Sequence, residues 1–253
     1  MSHLDPAKLT AAGFLPAVPR NISLLFNCPA NEIKPNEINV EDIKIPSTPL
    51  ADAMTAYVKA ALPVPTFNHS MRVYSLCMAI LAQHKDKMKY DINFDPEVYY
   101  VFSLFHDLGT SMTETALSFE YAGGIHAREK VMEHAKEHGG DHQLLADSVC
   151  EAIIRHQDNF FGVDGGDGGK LSALTALSHI TTLLDNTGDW SHLVHQKTYE
   201  GIVAKWPREG WSEHFRCRLA AEGKNKPWCH TTFIGVEEFR ENIGKNHLNK
   251  YEQ

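Results

Sequence analysis

Apolar residues recur at helical spacing along most of the chain after residue 49, whereas strand-like alternation never lasts more than a few positions. An apolar stripe that repeats every three to four residues is typical of an amphipathic helix with one buried face. One such stripe places a histidine among aliphatic side chains, at positions i, i+4, i+7 and i+11: His69, Val73, Leu76 and Ile80. The pattern therefore predicts a mostly helical protein in which His69 faces inward.

Helix start and stop signals divide this region into seven predicted helices. Asp95 followed by Pro96 is a strong start, because an aspartate cap and a proline in the first turn both favour helix initiation. The predicted helices cover residues 50–62, 66 or 68 to 80, 95–107, 125–138, 141–156, 170–185 and 235–248. The pair Gly123-Gly124 is expected to break the chain before the fourth helix, and the glycine-rich stretch 162–169 is expected to form a flexible loop.

Residues 1–50 differ in character, since they are rich in proline, asparagine and isoleucine and show no sustained helical period. We predict that they form an extended arm with short turns, which packs on a single compact all-α domain at 51–253. Such an arm could also reach around a neighbouring subunit, so the expected state is a homo-oligomer.

Composition and charge limit the classes of binding partner and the cellular compartment that we expect for the protein. The formal net charge is −8 and no dense Lys/Arg face is visible, which argues against a nucleic-acid partner. The sequence begins without a secretion signal and contains no apolar run of 18 residues, so no membrane partner is expected. The five cysteines are scattered and form no C-x-x-C pair, which favours reduced thiols and a cytoplasmic location.

An apolar run at 101–105 ends abruptly in the dipeptide His106-Asp107. Both side chains are common metal ligands, and burying a carboxylate costs several kcal/mol unless a cation or another partner compensates its charge. The alternative is a helix C-terminus with a polar cap, in which Gly109 follows the cap. The other histidines and aspartates at the ends of apolar segments favour the metal site.

Most of six candidate ligands lie at or near helix ends or on inward helical stripes, where a metal in the core of a helical bundle could be reached. In chain order they are His69, His106, Asp107, His126, His156 and Asp185. Mixed imidazole and carboxylate ligation suits zinc, iron or manganese and requires no thiolate. The core of the predicted metal site therefore covers about residues 66–190.

The ordered set His…His-Asp…Asp resembles the HD-domain superfamily of metal-dependent hydrolases. Its flanking residues are more similar to the fungal cyanamide hydratase branch, and the resemblance covers about residues 50–195. The motifs that carry it are Asn68-His69-Ser70-Met71-Arg72-Val73, Phe105-His106-Asp107-Leu108-Gly109-Thr110, Tyr121-Ala122-Gly123-Gly124, Ile154-Arg155-His156-Gln157-Asp158 and Leu184-Asp185-Asn186. The resemblance implies an HD-type helical bundle and an enzyme.

The resemblance also implies one zinc ion per chain, with iron or manganese as alternatives, bound by His69, His106, Asp107 and Asp185. It implies that His156 is the acid or base that faces the substrate. Some HD hydrolases hold a second metal with two further histidines, and His126 and His156 could fill those positions. With a single metal, His126 would instead contact the substrate, so both arrangements stay open.

Position 110 separates two enzymatic interpretations. Many HD phosphohydrolases have a lysine there that can meet phosphate oxygens, whereas Thr110 favours contact with a small uncharged substrate. The favoured function is therefore the zinc-dependent hydration of cyanamide to urea, in which Asp107 takes a proton from water and His156 donates one to the nitrile nitrogen. The alternatives are a metal-dependent phosphohydrolase of nucleotides or small phosphomonoesters, and a catalytically silent HD-fold binding protein.

Overall fold

The fold consists almost entirely of helices, which the computed structural model describes for residues 5–27, 32–158 and 169–252. Two short strands in these ranges, β1 (Val18–Pro19) and β2 (Lys170–Leu171), pair antiparallel. The all-α prediction is confirmed. The ten helices of the described residues are α1 (Pro6–Ala11), α2 (Pro49–Ala61), α3 (Val64–His84), α4 (Pro96–Phe105), α5 (Phe119–His138), α6 (Gln143–Arg155), α7 (Ala173–Thr187), α8 (Gln196–Lys205), α9 (Trp211–Asn225) and α10 (Val236–Gly244).

Helix α7 lies at the centre of the molecule. Every residue from Ala173 to Asn186 is buried, and α7 packs against α3, α6 and α10. Helix α4 is equally buried from Val98 to Phe105. Polar side chains at the ends of these central helices are therefore surrounded by protein and not by water.

Local signals explain where the central helices begin and end. Asp95 accepts a hydrogen bond from the amide of Glu97, and a proline occupies the first turn of α4. Gly188 ends α7 in the left-handed region, with a φ of 81°. Helix α3 begins at Val64, before the predicted start at 66 or 68, because Pro65 lies in the first turn, where a helix makes no use of its amide.

The pair Gly123-Gly124 does not break the chain, so that prediction is wrong. Helix α5 runs through both glycines without interruption. A Cβ added to Gly123 would lie 3.2 Å from the amide nitrogen of Gly109, and one added to Gly124 would lie 3.0 Å from the carbonyl oxygen of Cys150 in α6. The glycines therefore allow the backbone of α5 to approach its neighbours closely, next to the His-Asp dipeptide.

Replacing Gly109 by alanine is expected to lower the free energy of unfolding by about 3 kcal/mol or more, because overpacking against rigid groups cannot relax cheaply. A Cβ at this position would lie 1.9 Å from the carbonyl oxygen of Phe119, which is backbone at the start of α5. Guanidinium chloride unfolding measures the loss.

A matched control is Gly201→Ala in the middle of α8, where the added Cβ would meet only the side chain of Val40, at 3.5 Å. This variant is expected to gain about 0.5–1 kcal/mol, since alanine is the better helix former. Equal stability of the Gly109 and Gly201 variants would contradict the close approach at Gly109.

The N-terminal segment packs on the helical body through buried apolar side chains. Val18 pairs with Leu171 in the small sheet, and Leu25 is fully buried. Further along, the amide of Ile38 donates a hydrogen bond to the hydroxyl of Thr198, at 2.7 Å. The segment thus contains a short helix and a strand as well as turns, and the division into an arm at 1–50 and a domain at 51–253 stays a prediction.

No helix in the described part of the chain is both long and apolar enough to cross a membrane. The predicted flexible loop at 162–169 lies outside the described residues, except for Gly169.

Candidate metal centre

Five of the predicted site residues come from four helices that meet in the interior. His69 lies on α3, and His106 and Asp107 directly follow the end of α4. His156 directly follows α6, and Asp185 lies in the last turn of α7. All five side chains are at least 97% buried, so the apolar runs that end in these polar residues carry them into the core.

Three of these side chains form a compact cluster. Nε2 of His69 lies 3.1 Å from Nε2 of His106, and the Oδ2 of Asp107 lies 3.6 Å and 3.4 Å from these two nitrogens. Each residue offers one ligand atom, and the three atoms lie within 4.8 Å of one another. Two imidazoles and a carboxylate in this arrangement could hold one metal ion.

The hydrogen bonds behind the two imidazoles fix their tautomers. Nδ1 of His69 lies 2.6 Å from a carboxylate oxygen of Asp185, and Nδ1 of His106 lies 2.8 Å from the carbonyl oxygen of Ser103. Both partners only accept, so each Nδ1 carries the proton and each Nε2 presents a lone pair. Burial lowers the pKa of both histidines to about 4, so a second proton is not held at neutral pH. Two lone pairs 3.1 Å apart repel unless a cation lies against them.

The carboxylate of Asp107 also indicates that a cation binds at this cluster. Both of its oxygens are buried, and neither has a hydrogen-bond partner among the described residues. Burial raises the pKa of Asp107 to about 6, and only the neighbouring His69 opposes this shift. A buried carboxylate without partners is costly, and a bound cation removes that cost. The donor set therefore fits a metal ion such as zinc, iron or manganese.

Asp185 lies behind His69 and not among the three clustered ligands. Its Oδ2 accepts from Nδ1 of His69 and from Arg72, at 2.6 and 2.9 Å, and its Oδ1 accepts from Arg208 at 2.8 Å and from Tyr199 at 3.4 Å. The two arginines hold the pKa of Asp185 well below its usual range although burial opposes them. In the structure both oxygens of Asp185 accept hydrogen bonds, and the fourth-ligand role implied for Asp185 stays a prediction. A carboxylate behind a ligating histidine orients the ring and raises its basicity.

Replacing Arg208 by methionine is expected to cost about 3–5 kcal/mol of unfolding free energy, the typical effect of removing one partner from a buried ion pair. The Arg208 guanidinium is fully buried and also donates to the carbonyl oxygen of Asp185, at 2.7 Å, and to Glu252, at 3.0 Å. Methionine fills a similar volume, so the loss reports the removed ion pairs with Asp185 and Glu252 and not a cavity. Guanidinium chloride unfolding gives the value.

The control is Arg128→Met, which removes an ion pair with Asp147 of shorter distance, 2.6 Å, but with both side chains more than a third exposed. Solvent screens such a pair, so the expected loss is below about 1 kcal/mol. Similar losses for the two variants would contradict the buried role assigned to Arg208.

His156 presents an unprotonated nitrogen towards the cluster. Its Nδ1–H donates to the carbonyl oxygen of Ile153 at 2.7 Å, and its Nε2 lies 4.0 Å from Oδ1 of Asp107. Burial lowers the pKa of His156 well below its usual range, and the nearby His106 adds to this effect. A neutral imidazole in this position is suited to accept a proton from a group bound beside Asp107.

A cavity of about 340 Å³ begins at His156 and extends between α7 and α10. Its lining combines polar side chains, including Gln157 and Asn186, with apolar ones such as Leu183 and Phe239. His156 is therefore the member of the site that contacts both the ligand cluster and the space available to a substrate.

The structure brings neither of the two predicted substrate contacts to this cavity. His126 is half-buried on α5, and its Nε2 lies 2.6 Å from the hydroxyl of Tyr57. The hydroxyl of Thr110 donates to the carbonyl oxygen of Asp107 at 2.7 Å, as a cap of the turn that follows the dipeptide. Neither residue lines the cavity, and no second group of candidate metal ligands clusters among the described residues. The residues that lie there instead are Gln157 and Asn186.

The sequence does not identify the residues that contact His69 and Asp185 on the side away from the other ligands. Trp211 stacks on His69 with ring centroids 4.1 Å apart and an interplanar angle of 12°. Arg72 could have been found, because it follows His69 by three positions and therefore lies on nearly the same face of α3. Arg208 and Trp211 come from a distant segment with no helical pattern that links them to the site.

Comparisons with known proteins place the chain in the HD-domain family. The family model for the HD domain matches residues 66–188, the span that contains all five site residues. Two curated proteins of Saccharomyces cerevisiae, the cyanamide hydratases DDI2 and DDI3, are each 36% identical to this chain over 193 residues. The alignments cover 75% of this chain and 80% of each yeast protein.

Proposed function

Because the chain belongs to the cyanamide hydratase family of HD-domain proteins, we propose that it hydrates cyanamide to urea at the centre formed by His69, His106 and Asp107. The observation that carries the proposal is the convergence of two imidazole lone pairs and an unpartnered carboxylate beside a cavity. The reaction joins the oxygen of one water molecule to the nitrile carbon and transfers both water protons to the nitrile nitrogen.

The proposed cofactor is one zinc ion per chain. Two histidines and one carboxylate are a common protein ligand set for catalytic zinc, which keeps a position open for water or substrate. When bound, the ion supplies Lewis acidity, which lowers the pKa of water or polarises the nitrile. Asp185 keeps the proton on Nδ1 of His69, so that Nε2 stays available as a ligand atom.

His156 and Asp107 move the protons in the proposed reaction. His156 is neutral, so its Nε2 takes the first proton from water as the carbon–oxygen bond forms. The imidazolium then returns that proton to the nitrile nitrogen, which is consistent with the donor role expected of His156. Asp107 lies 4.0 Å from Nε2 of His156 and is placed to pass the remaining hydroxyl proton to the same nitrogen.

Phosphate-ester hydrolysis receives less support. The described residues that line the cavity include the carboxylate of Glu238 and no lysine or arginine. A doubly charged phosphate is normally met by cations, and an anionic rim repels it. An uncharged substrate suits this lining better.

The test is urea formation from cyanamide by the zinc-loaded protein, with phosphate release from nucleotides measured in parallel in manganese or cobalt. We expect urea as the product and no phosphate above the protein-free rate. Phosphate release without urea would move the assignment to the phosphohydrolases of the same superfamily.

A further inference from the structure

Two carboxamide side chains, Gln157 and Asn186, lie in the buried part of the cavity that begins at His156. Their exposed fractions are 5% and 4%. The proton transfers above leave both unused. A buried carboxamide offers both a donor and an acceptor, and in a native structure each is normally paired.

The amide of Asn186 has a fixed orientation. Its Oδ1 accepts a hydrogen bond from the indole nitrogen of Trp211, at 3.1 Å. An indole N–H can only donate, so the oxygen of Asn186 must face Trp211 and its NH₂ group must face away. Trp211 also stacks on His69, so the same indole contacts both Asn186 and a residue of the ligand cluster.

Gln157 presents the opposite group. Its Oε1 is buried and has no hydrogen-bond partner among the described residues. Leaving a buried acceptor unpaired is costly, so the carboxamide of Gln157, a residue of the cavity lining, is available to pair with a group that brings a donor. Gln157 directly follows His156 in the chain, and both residues line the same cavity.

We propose that Gln157 and Asn186 bind the two ends of the substrate. The Oε1 of Gln157 accepts an amino N–H of cyanamide, and the NH₂ group of Asn186 donates to its nitrile nitrogen, which gains negative charge as water adds. The substrate class is therefore cyanamides that carry at least one amino N–H. The cavity volume of about 340 Å³ is several times the volume of about 30 Å³ that one water molecule takes up in the liquid. A monosubstituted cyanamide therefore also fits. This assignment of the subsite rests on the proposed function.

The acceptor is tested with Gln157→Met and two substrates, cyanamide and N,N-dimethylcyanamide, which has the nitrile but no N–H. Wild-type protein is expected to prefer cyanamide by at least about 100-fold in kcat/KM, because the dimethyl compound leaves Oε1 unpaired. In Gln157→Met the kcat/KM for cyanamide should fall about 10- to 100-fold while that for dimethylcyanamide is unchanged or higher. Gln157→Leu serves as the second variant if methionine impairs folding.

The donor is tested with Asn186→Asp, which keeps an oxygen for Trp211 and removes the NH₂ group. Both substrates carry the nitrile nitrogen, so their kcat/KM values should fall by the same factor, about 100-fold, as for loss of one donor to a developing charge. Asn225→Ala, at the exposed end of α9 and outside the lining of the cavity, is the control and should leave both values and their ratio unchanged. Zinc content and thermal unfolding are measured on every variant.

The outcomes separate the subsite from the proposed function. If wild-type protein forms urea but Gln157→Met keeps the wild-type ratio between the two substrates, the subsite is overturned and the function stands. If wild-type protein forms no urea, calorimetric binding of cyanamide decides. Weaker binding by Gln157→Met than by wild type would retain the subsite and overturn the function. Equal binding, or none, would overturn both.

Discussion

Replacing Asp107 by asparagine is expected to abolish urea formation and to leave the purified protein with less than a tenth of the wild-type zinc. Asparagine has the same shape but supplies a neutral oxygen, so the cluster loses its only negative ligand. Two imidazoles alone bind zinc too weakly to hold it against the water ligands of the free ion. Zinc analysis and the urea assay on one preparation measure both effects. The control is Asp147→Asn, since Asp147 pairs with Arg128 at the surface and should keep full zinc and full activity.

The same variant should reverse the order of stability when metal is removed. In the metal-free protein burial raises the pKa of Asp107 from 3.8 to about 6, so the folded state holds this proton more tightly than the unfolded state. The free energy of unfolding therefore falls as the pH rises from about 4 to about 6, and the loss persists above that range. Asparagine does not ionise. At pH 8 metal-free Asp107→Asn should exceed metal-free wild type by about 2 kcal/mol, whereas zinc-loaded wild type should be the more stable. A metal-free variant less stable than wild type would contradict the unpaired buried carboxylate.

Replacing His156 by alanine is expected to lower kcat by about 10²–10⁴-fold, the usual contribution of a positioned general acid–base group. Zinc content should stay at the wild-type level, because Nε2 of His156 lies 4.0 Å from the nearer oxygen of Asp107 and outside the three clustered ligand atoms. The measurement is steady-state urea formation by zinc-replete protein.

His126→Ala is the matched control for His156, since His126 contacts Tyr57 and does not line the cavity. It should retain most of the wild-type kcat. Near-wild-type activity of His156→Ala would remove His156 from the proton transfers, and loss of zinc in that variant would instead make it a ligand. A large loss of kcat in His126→Ala would restore the substrate contact first expected there.

The helical class was predictable because the apolar periodicity of this chain is strong and its caps are explicit. Asp95-Pro96 and Gly188 mark helix ends in the structure as their residue types predict. The predicted break at Gly123-Gly124 is wrong because a glycine pair, judged from the sequence alone, is typical of a helix end. Its reason is tertiary, the close approach of α5 to the backbone at Gly109. Such contacts leave no periodic signal in the sequence.

The ligand cluster was predictable in its members but not in its arrangement. His69 and the His-Asp dipeptide could be found because apolar segments carry them inward, and they meet as expected. The position of Asp185 could not be found, since it depends on Arg208 and Trp211, which belong to another segment. The substrate contacts expected of His126 and Thr110 rest on the family resemblance alone, whereas local hydrogen bonds direct both side chains elsewhere.

In the proposed centre, one metal ion at His69, His106 and Asp107 supports the hydration of cyanamide. The most direct measurement is a titration of metal-stripped protein with zinc, in which the initial rate of urea formation is recorded at each addition. We expect no urea without zinc, and a rate of urea formation that rises linearly and stops rising at one zinc per chain. A rate independent of zinc, or a break at two zinc ions per chain, would contradict a single-metal hydratase centre.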